Sequence, residues 1–175
     1  MDIGLLVLRL AIGLLFVGHG VQKVSHRLGG EGLEGGAAEF RADGFRGGRL
    51  TAAAAGSGQI AAGLLLGAGA LAPLAATIAG GVMTVAVTVK WRKGLWVQNN
   101  GYEYPLVLMM LPATLTLTGP GRWSVDQAVG LLPWDPWWTA AAVGLGVSSG
   151  LATRALLGRP GLITERSGTS AKPRR

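Results

Sequence analysis

Cysteine is absent from the chain. Its absence removes disulfide frameworks, CxxC redox pairs, thiol nucleophiles and thiolate-held iron–sulfur clusters at a stroke. Histidine is almost as scarce. His19 and His26 are the only two, too few for a multi-histidine metal or haem site within this chain, so no metal is expected. Charge is the third shortage. Only 14% of the residues are Asp, Glu, Lys or Arg, where soluble domains carry about a quarter. Too few polar side chains remain to coat a water-soluble globule.

What is present in quantity is apolar. Nearly half the 175 residues are aliphatic or aromatic, and most of the thirty glycines lie inside those runs. Small residues in apolar runs are common in membrane helices, where they let backbones approach. A bilayer core takes roughly 20 mostly apolar residues per helix. The sequence accordingly predicts spans over about 3–21, 50–70, 71–89 and 103–118, with a weaker fifth from Trp138 to Leu157 and four spans as the alternative count. Pro112 is expected to kink the fourth. The fold class is thus an all-α, polytopic membrane bundle: a four-helix unit over 1–126, an outer loop and fifth span over 127–158, and a disordered basic tail over 159–175. The first run is read as a span and not a cleaved leader, because no basic segment precedes it and further runs follow.

Charge placement supports that map. With five spans, fourteen of the sixteen basic residues fall on one side: Lys23 to Arg49, Lys90 to Lys93, and Arg154 onward. Lys and Arg mark cytoplasmic loops, so the chain reads N-terminus out and C-terminus in, in the plasma membrane. The same placement explains the net charge of +7 without nucleic acid; the bilayer is the partner. Tryptophan agrees, with Trp123, Trp134, Trp137 and Trp138 at the outer boundary and Trp91 and Trp96 at the inner one. Two glycine pairs one turn apart, Gly63 with Gly67 and Gly146 with Gly150, predict close helix packing inside the bundle; a homo-oligomer face is the lesser reading.

Polar residues inside the spans are candidate sites. A charge near the bilayer centre costs about 3 kcal/mol or more, which predicts an inward-facing Arg9. By residue count Arg9 and Gln59 share a level, so Gln59 is expected to accept from the guanidinium. A second cluster gathers at the inner boundary: His19 and Lys23 one helical turn apart, Lys90, and Glu103 at a helix start. Glu103 is expected to pair with Lys23 or Lys90, although both lysines can instead snorkel to headgroups. Outside, GPGRWSVD reads as a turn in which Asp126 pairs with Arg122. The threonines of the third and fourth spans are expected to bond their own helix carbonyls.

The order LRLAIGLLFVGHGVQK, AAEFRADGF, GSGQIAAGLLLGAGALAPLAA, VAVTVKWRKGLW–NNGYEYPL and LTGPGRWSVD, over roughly residues 5–126, resembles the DoxX family of small membrane proteins. The resemblance falls on Arg9, His19, Gly20, Lys23, Phe40, Gly44, Gly101, Tyr102, Glu103, Gly119, Gly121 and Asp126. It implies a four-helix bundle and, by likeness to some members, a membrane subunit of a quinone-linked oxidoreductase with a redox partner protein on the cytoplasmic side. A quinone would be the only cofactor, since no ligand set for another is visible. Many members carry glutamate at the place of Gln59 and histidine near Lys90, so a proton relay through the bilayer is in doubt here. The alternative is a non-enzymatic scaffold or chaperone-like protein recruiting partners through the basic tail and residues 22–49, whose AAEFRADGF segment is expected to form a short surface helix. Solute transport is disfavoured, as no internal repeat is visible.

Overall fold

The computed structural model describes residues 2–158. The predicted basic tail over 159–175 lies outside them. Among the described residues there are seven α-helices: α1 (Asp2–Val24), α2 (Gly32–Ala42), α3 (Gly48–Ala68), α4 (Ala72–Lys90), α5 (Glu103–Thr118), α6 (Val125–Ala128) and α7 (Pro136–Leu157). Among the described residues the one β contact is an isolated bridge between Phe45 and Gly158. The five long helices match the five predicted runs. Four of them, α1, α3, α4 and α7, are long and apolar enough to cross a membrane. α5 has sixteen residues, about 24 Å at helical rise, and is the short member. The helix assignment continues through Pro112, with Thr116 Oγ1 donating to the Pro112 carbonyl at 3.1 Å.

Side-chain contacts fix the direction of each helix. Arg9 reaches Pro120 and His19 reaches Tyr104, so α1 and α5 are antiparallel. Thr84 meets Met109 and Thr116 meets the Ala72 carbonyl, so α4 and α5 are antiparallel as well. Gly146 lies against Thr77 and Gly150 against Gly81, which makes α4 and α7 parallel. All five long helices therefore run end to end in alternation, with the loops bearing most of the cations at one end. We call that the basic end.

The core is thin and the outside is greasy. Ile12, Phe16, Ala62, Leu66, Ala75, Ala79, Met83, Leu108 and Leu115 are buried together. Ile3, Leu14, Leu64, Leu145, Leu151 and Leu156 each expose half or more of their surface. Apolar exposure spread over whole helix faces is what a protein solvated by lipid shows. Glycines set the helix spacing. A Cβ on Gly13 would lie 2.6 Å from the Gly63 carbonyl, and one on Gly63 would lie 2.5 Å from that of Gly13. On the other side, a Cβ on Gly150 would meet the Gly81 carbonyl at 2.6 Å. Gly63, Gly146 and Gly150 therefore pack helices within the bundle, as expected, while a Cβ on Gly67 would meet open space.

The AAEFRADGF segment does form a helix. α2 packs down on α3 and α1, and Phe40 and Phe45 sit edge to face, 5.5 Å apart, at the basic end. Arg46 N donates to the Leu157 carbonyl and Arg154 Nη1 to that of Asp43, tying the end of α7 to the same place.

Candidate functional site

Two polar assemblies stand at opposite ends of the bundle, and neither has the partners predicted from residue counting. Arg9 is buried, 1% exposed, but does not meet Gln59. Its Nη1 donates to the Pro120 carbonyl at 2.6 Å and its Nη2 to that of Trp123 at 2.5 Å. The predicted Arg9–Gln59 pair is corrected by the helix register. Counting assumed that the midpoints of α1 and α3 lie level, whereas Gly13 faces Gly63 and Gly67, and Gly20 faces Gly56. That register carries Arg9 up beside Gly69, ten residues from Gln59 and so roughly 15 Å away along the axis.

Asp126 completes the assembly at the end opposite the basic one. It is fully buried and accepts from Leu71 N at 2.6 Å, Ala72 N at 3.0 Å and Trp134 Nε1 at 3.0 Å. It thereby caps the start of α4, where the helix dipole favours a carboxylate, and also faces the charge of Arg9. The expected pair with Arg122 is not made; the Arg122 backbone N–H donates instead to Asp2 Oδ1 at 3.1 Å. The turn needs Gly69, which ends α3 at φ 63° and has Arg9 pressed where a Cβ would stand. Arg9 Nε is buried without a partner, but the other bonds of this assembly go to backbone carbonyls and a cap, so that it clamps the ends of α1, α3, α4 and α5 together.

At the basic end the predicted cluster is split up. His19 Nε2 and the Tyr104 hydroxyl share a hydrogen bond of 2.8 Å. Lys23 pairs with Glu39 of α2 at 2.7 Å. Glu103 makes no salt bridge to Lys23 or Lys90 among the described residues; its Oε2 accepts from Val97 N at 3.0 Å and so holds the loop before α5. Tyr102 stacks on Trp91, with ring centroids 5.0 Å apart. The correction has one cause. The prediction treated residues 22–49 as a loop outside the cluster, and α2 instead folds back to supply two further carboxyl groups, Glu39 and Asp43.

Those two groups, with Lys23 and Lys90, form the charged mouth of a cavity of about 530 Å³. Its floor is α4, its walls are α3 and α7, and α2 closes its basic end. α3 and α7 each pack on α4 and scarcely touch one another, which leaves the cavity open sideways, past Ala54 and Ser149. The lining is chiefly aliphatic, with residues such as Ile78, Val82 and Ala86. Two polar groups lie deep in it, Thr77, whose hydroxyl donates to the Pro73 carbonyl, and Gln59. Gln59 is 4% exposed and its Oε1 has no hydrogen-bond partner. A buried acceptor left unpaired costs about 1–3 kcal/mol, so it is a place where a ligand donor or a water gains affinity.

Asp43 stands at the mouth, just after α2, with its carboxyl making no hydrogen bond or ion pair among the described residues. Burial pushes its pKa above the ordinary carboxylate value and neighbouring Glu39 adds to the rise, while Lys93, Lys23 and Lys90 oppose it. Asp43 and Glu39 both lay within the sequence and were missed. The available signal was the amphipathic AAEFRADGF segment, whose acidic residues four apart share a helix face.

The DoxX family model matches residues 4–91, half of the chain. The chain belongs to the DoxX family. The DoxX match takes in α1 to α4, and with them Arg9, His19, Lys23, Asp43, Gln59 and Lys90; Tyr102, Glu103, Arg122 and Asp126 lie beyond it. No curated protein and no solved structure matches the chain. Family and apolar helices together make it a multi-pass membrane protein.

Proposed function

We propose that this DoxX protein is the membrane subunit of a quinone-linked redox complex and holds the quinone in the cavity at its basic end. The observation that carries the reading is the unpaired, buried Gln59 amide at the deep end of an apolar cavity that opens towards lipid and ends in charged groups. An isoprenoid quinone fits that set in its reduced form, whose ring hydroxyl supplies the donor that Gln59 Oε1 lacks. Its ring oxygens need hydrogen-bond partners at separate points, and its tail needs an apolar exit. Gln59 would hold one oxygen, its Nε2 donating to a quinone carbonyl or its Oε1 accepting from a hydroquinone hydroxyl, with the Lys90 and Asp43 mouth on the other and the aliphatic lining on the ring. When bound, a quinone supplies two-electron, two-proton chemistry. The chain contributes position, water exclusion and proton contacts, and the electrons come from a redox protein docked at the basic end, which faces the cytoplasm across the plasma membrane.

Arg9 takes no part in this reading, being spent on the outer clamp. Partner recruitment through a free arm at residues 22–49 has less support, since α2 lies against α1 and α3 with Glu39 and Glu34 paired to Lys23 and Arg49.

The test is equilibrium binding of a short-tailed quinone analogue to the purified protein in detergent. The proposal predicts saturable binding, weakened about tenfold by Gln59→Leu, the equivalent of one buried hydrogen bond. It is unaffected by Arg9→Lys in any variant that remains folded. Absence of saturable binding, or equal binding by Gln59→Leu, contradicts it.

A further inference from the structure

We infer that Asp43 is the proton-exchanging group of this cavity, so that the oxidised and reduced forms of the ligand bind with opposite dependence on pH. The inference rests on the quinone reading of the cavity given above.

Geometry singles out Asp43. The deep end of the cavity offers the Gln59 amide and the Thr77 hydroxyl, neither of which takes up or releases protons near neutral pH. Titratable groups occur at the mouth alone, and their surroundings differ. From α1, Lys23 holds Glu39 of α2 in a 2.7 Å ion pair, which commits that carboxylate to a partner. From α4 and the turn after it, Lys90 and Lys93 face Asp43 as cations. From α7, Arg154 binds the Asp43 backbone carbonyl at 3.1 Å and stacks its guanidinium over Phe45, leaving the Asp43 carboxyl to others. Asp43 is thus a half-buried carboxyl on the cavity wall with no committed partner among the described residues. Burial and the Glu39 charge raise its pKa, bringing its titration closer to neutrality.

The chemistry of the two ligand forms does the rest. A quinone oxygen is a carbonyl and can only accept, so it is held by the protonated carboxyl, whose O–H donates. A hydroquinone oxygen is a hydroxyl and can donate, so it is held by the carboxylate. By linkage, binding of the oxidised form draws a proton onto Asp43 and binding of the reduced form expels one. Affinity for the oxidised form must fall as pH rises through the Asp43 titration, and affinity for the reduced form must rise. The limit for one linked proton is about tenfold per pH unit. Because Asp43 is at the basic end, the exchanged proton belongs to the water on that side.

The experiment is binding of a short-tailed quinone analogue and its dithionite-reduced hydroquinone to the intact protein in detergent, from about pH 4 to about pH 8. Opposite slopes are expected for the two forms. Asp43→Asn should flatten both while retaining binding, because an amide donates and accepts without titrating; Glu39→Gln should leave both slopes in place. Binding that does not vary with pH, slopes of the same sign, or slopes that survive Asp43→Asn would overturn the inference and leave the quinone reading standing. Binding of neither form at any pH would remove the quinone reading itself, and this inference with it.

Discussion

Asp126 shows how much one buried carboxylate can be asked to hold. It ends the orphan N–H groups of α4, anchors Trp134 and balances Arg9. Asp126→Ala strands all three, and a loss of about 3 kcal/mol is expected, read as a lower melting temperature in detergent. Asp126→Asn keeps an acceptor but not the charge and should fall between. An Asp126→Ala protein that melts with the wild type would show that the clamp is idle. At this scale the sequence was legible in kind and not in pairing. An arginine in an apolar run had to face inward, and Arg9 does. Which atoms receive it depended on the register of two helices, and a shift of a few residues exchanged Gln59 for the carbonyls of Pro120 and Trp123. Short-range rules fared better: Thr77, Thr114, Thr116 and Thr118 each bond a carbonyl one turn back on their own helix, as hydroxyls in apolar helices do.

Glycine positions govern the elements. Gly63 and Gly67 look equivalent in the sequence, yet a Cβ on Gly63 would run into the Gly13 carbonyl while one on Gly67 meets nothing within 4 Å. Gly63→Ala should therefore prise α1 from α3 and cost about 1–3 kcal/mol. Gly67→Ala should be neutral or slightly stabilising, from its better helix propensity. Melting the two variants side by side checks this; equal effects would mean that the close α1–α3 contact is absent. Helix existence was plain from the apolar runs, since a bilayer enforces length and hydrophobicity together. α2 was harder, because an eleven-residue helix rich in glycine carries little propensity and is held by what it packs on. Its docking is also where pH enters. The Asp43 pKa is raised on folding, so the folded state binds more protons between the free and the raised value. Stability from this group is greatest below the ordinary carboxylate pKa and declines as pH rises through the folded one. Protection of α2 amides in hydrogen exchange should thus be higher at mildly acid pH, and Asp43→Asn should remove the difference.

The whole molecule is a set of long helices in alternation, with a clamp at one end and an open, charged cavity at the other. Its membrane character was legible from shortage of charge, surplus of apolar residues and the sorting of cations. The cavity was not, because it arises where α3 and α7 stand apart on α4, a matter of spacing that no single segment encodes. The functional reading depends on which face of the membrane that cavity serves. A chain without cysteine allows a clean determination. Single cysteines placed at Arg46, at the basic end, and at Gln127, beside the clamp, can be probed with a membrane-impermeant thiol reagent applied to intact cells. Labelling at 127 from outside, with labelling at 46 only after the cells are opened, is the predicted result. Labelling at 46 in intact cells would contradict the account, because it would place the cavity mouth, and Asp43 with it, on the outer side.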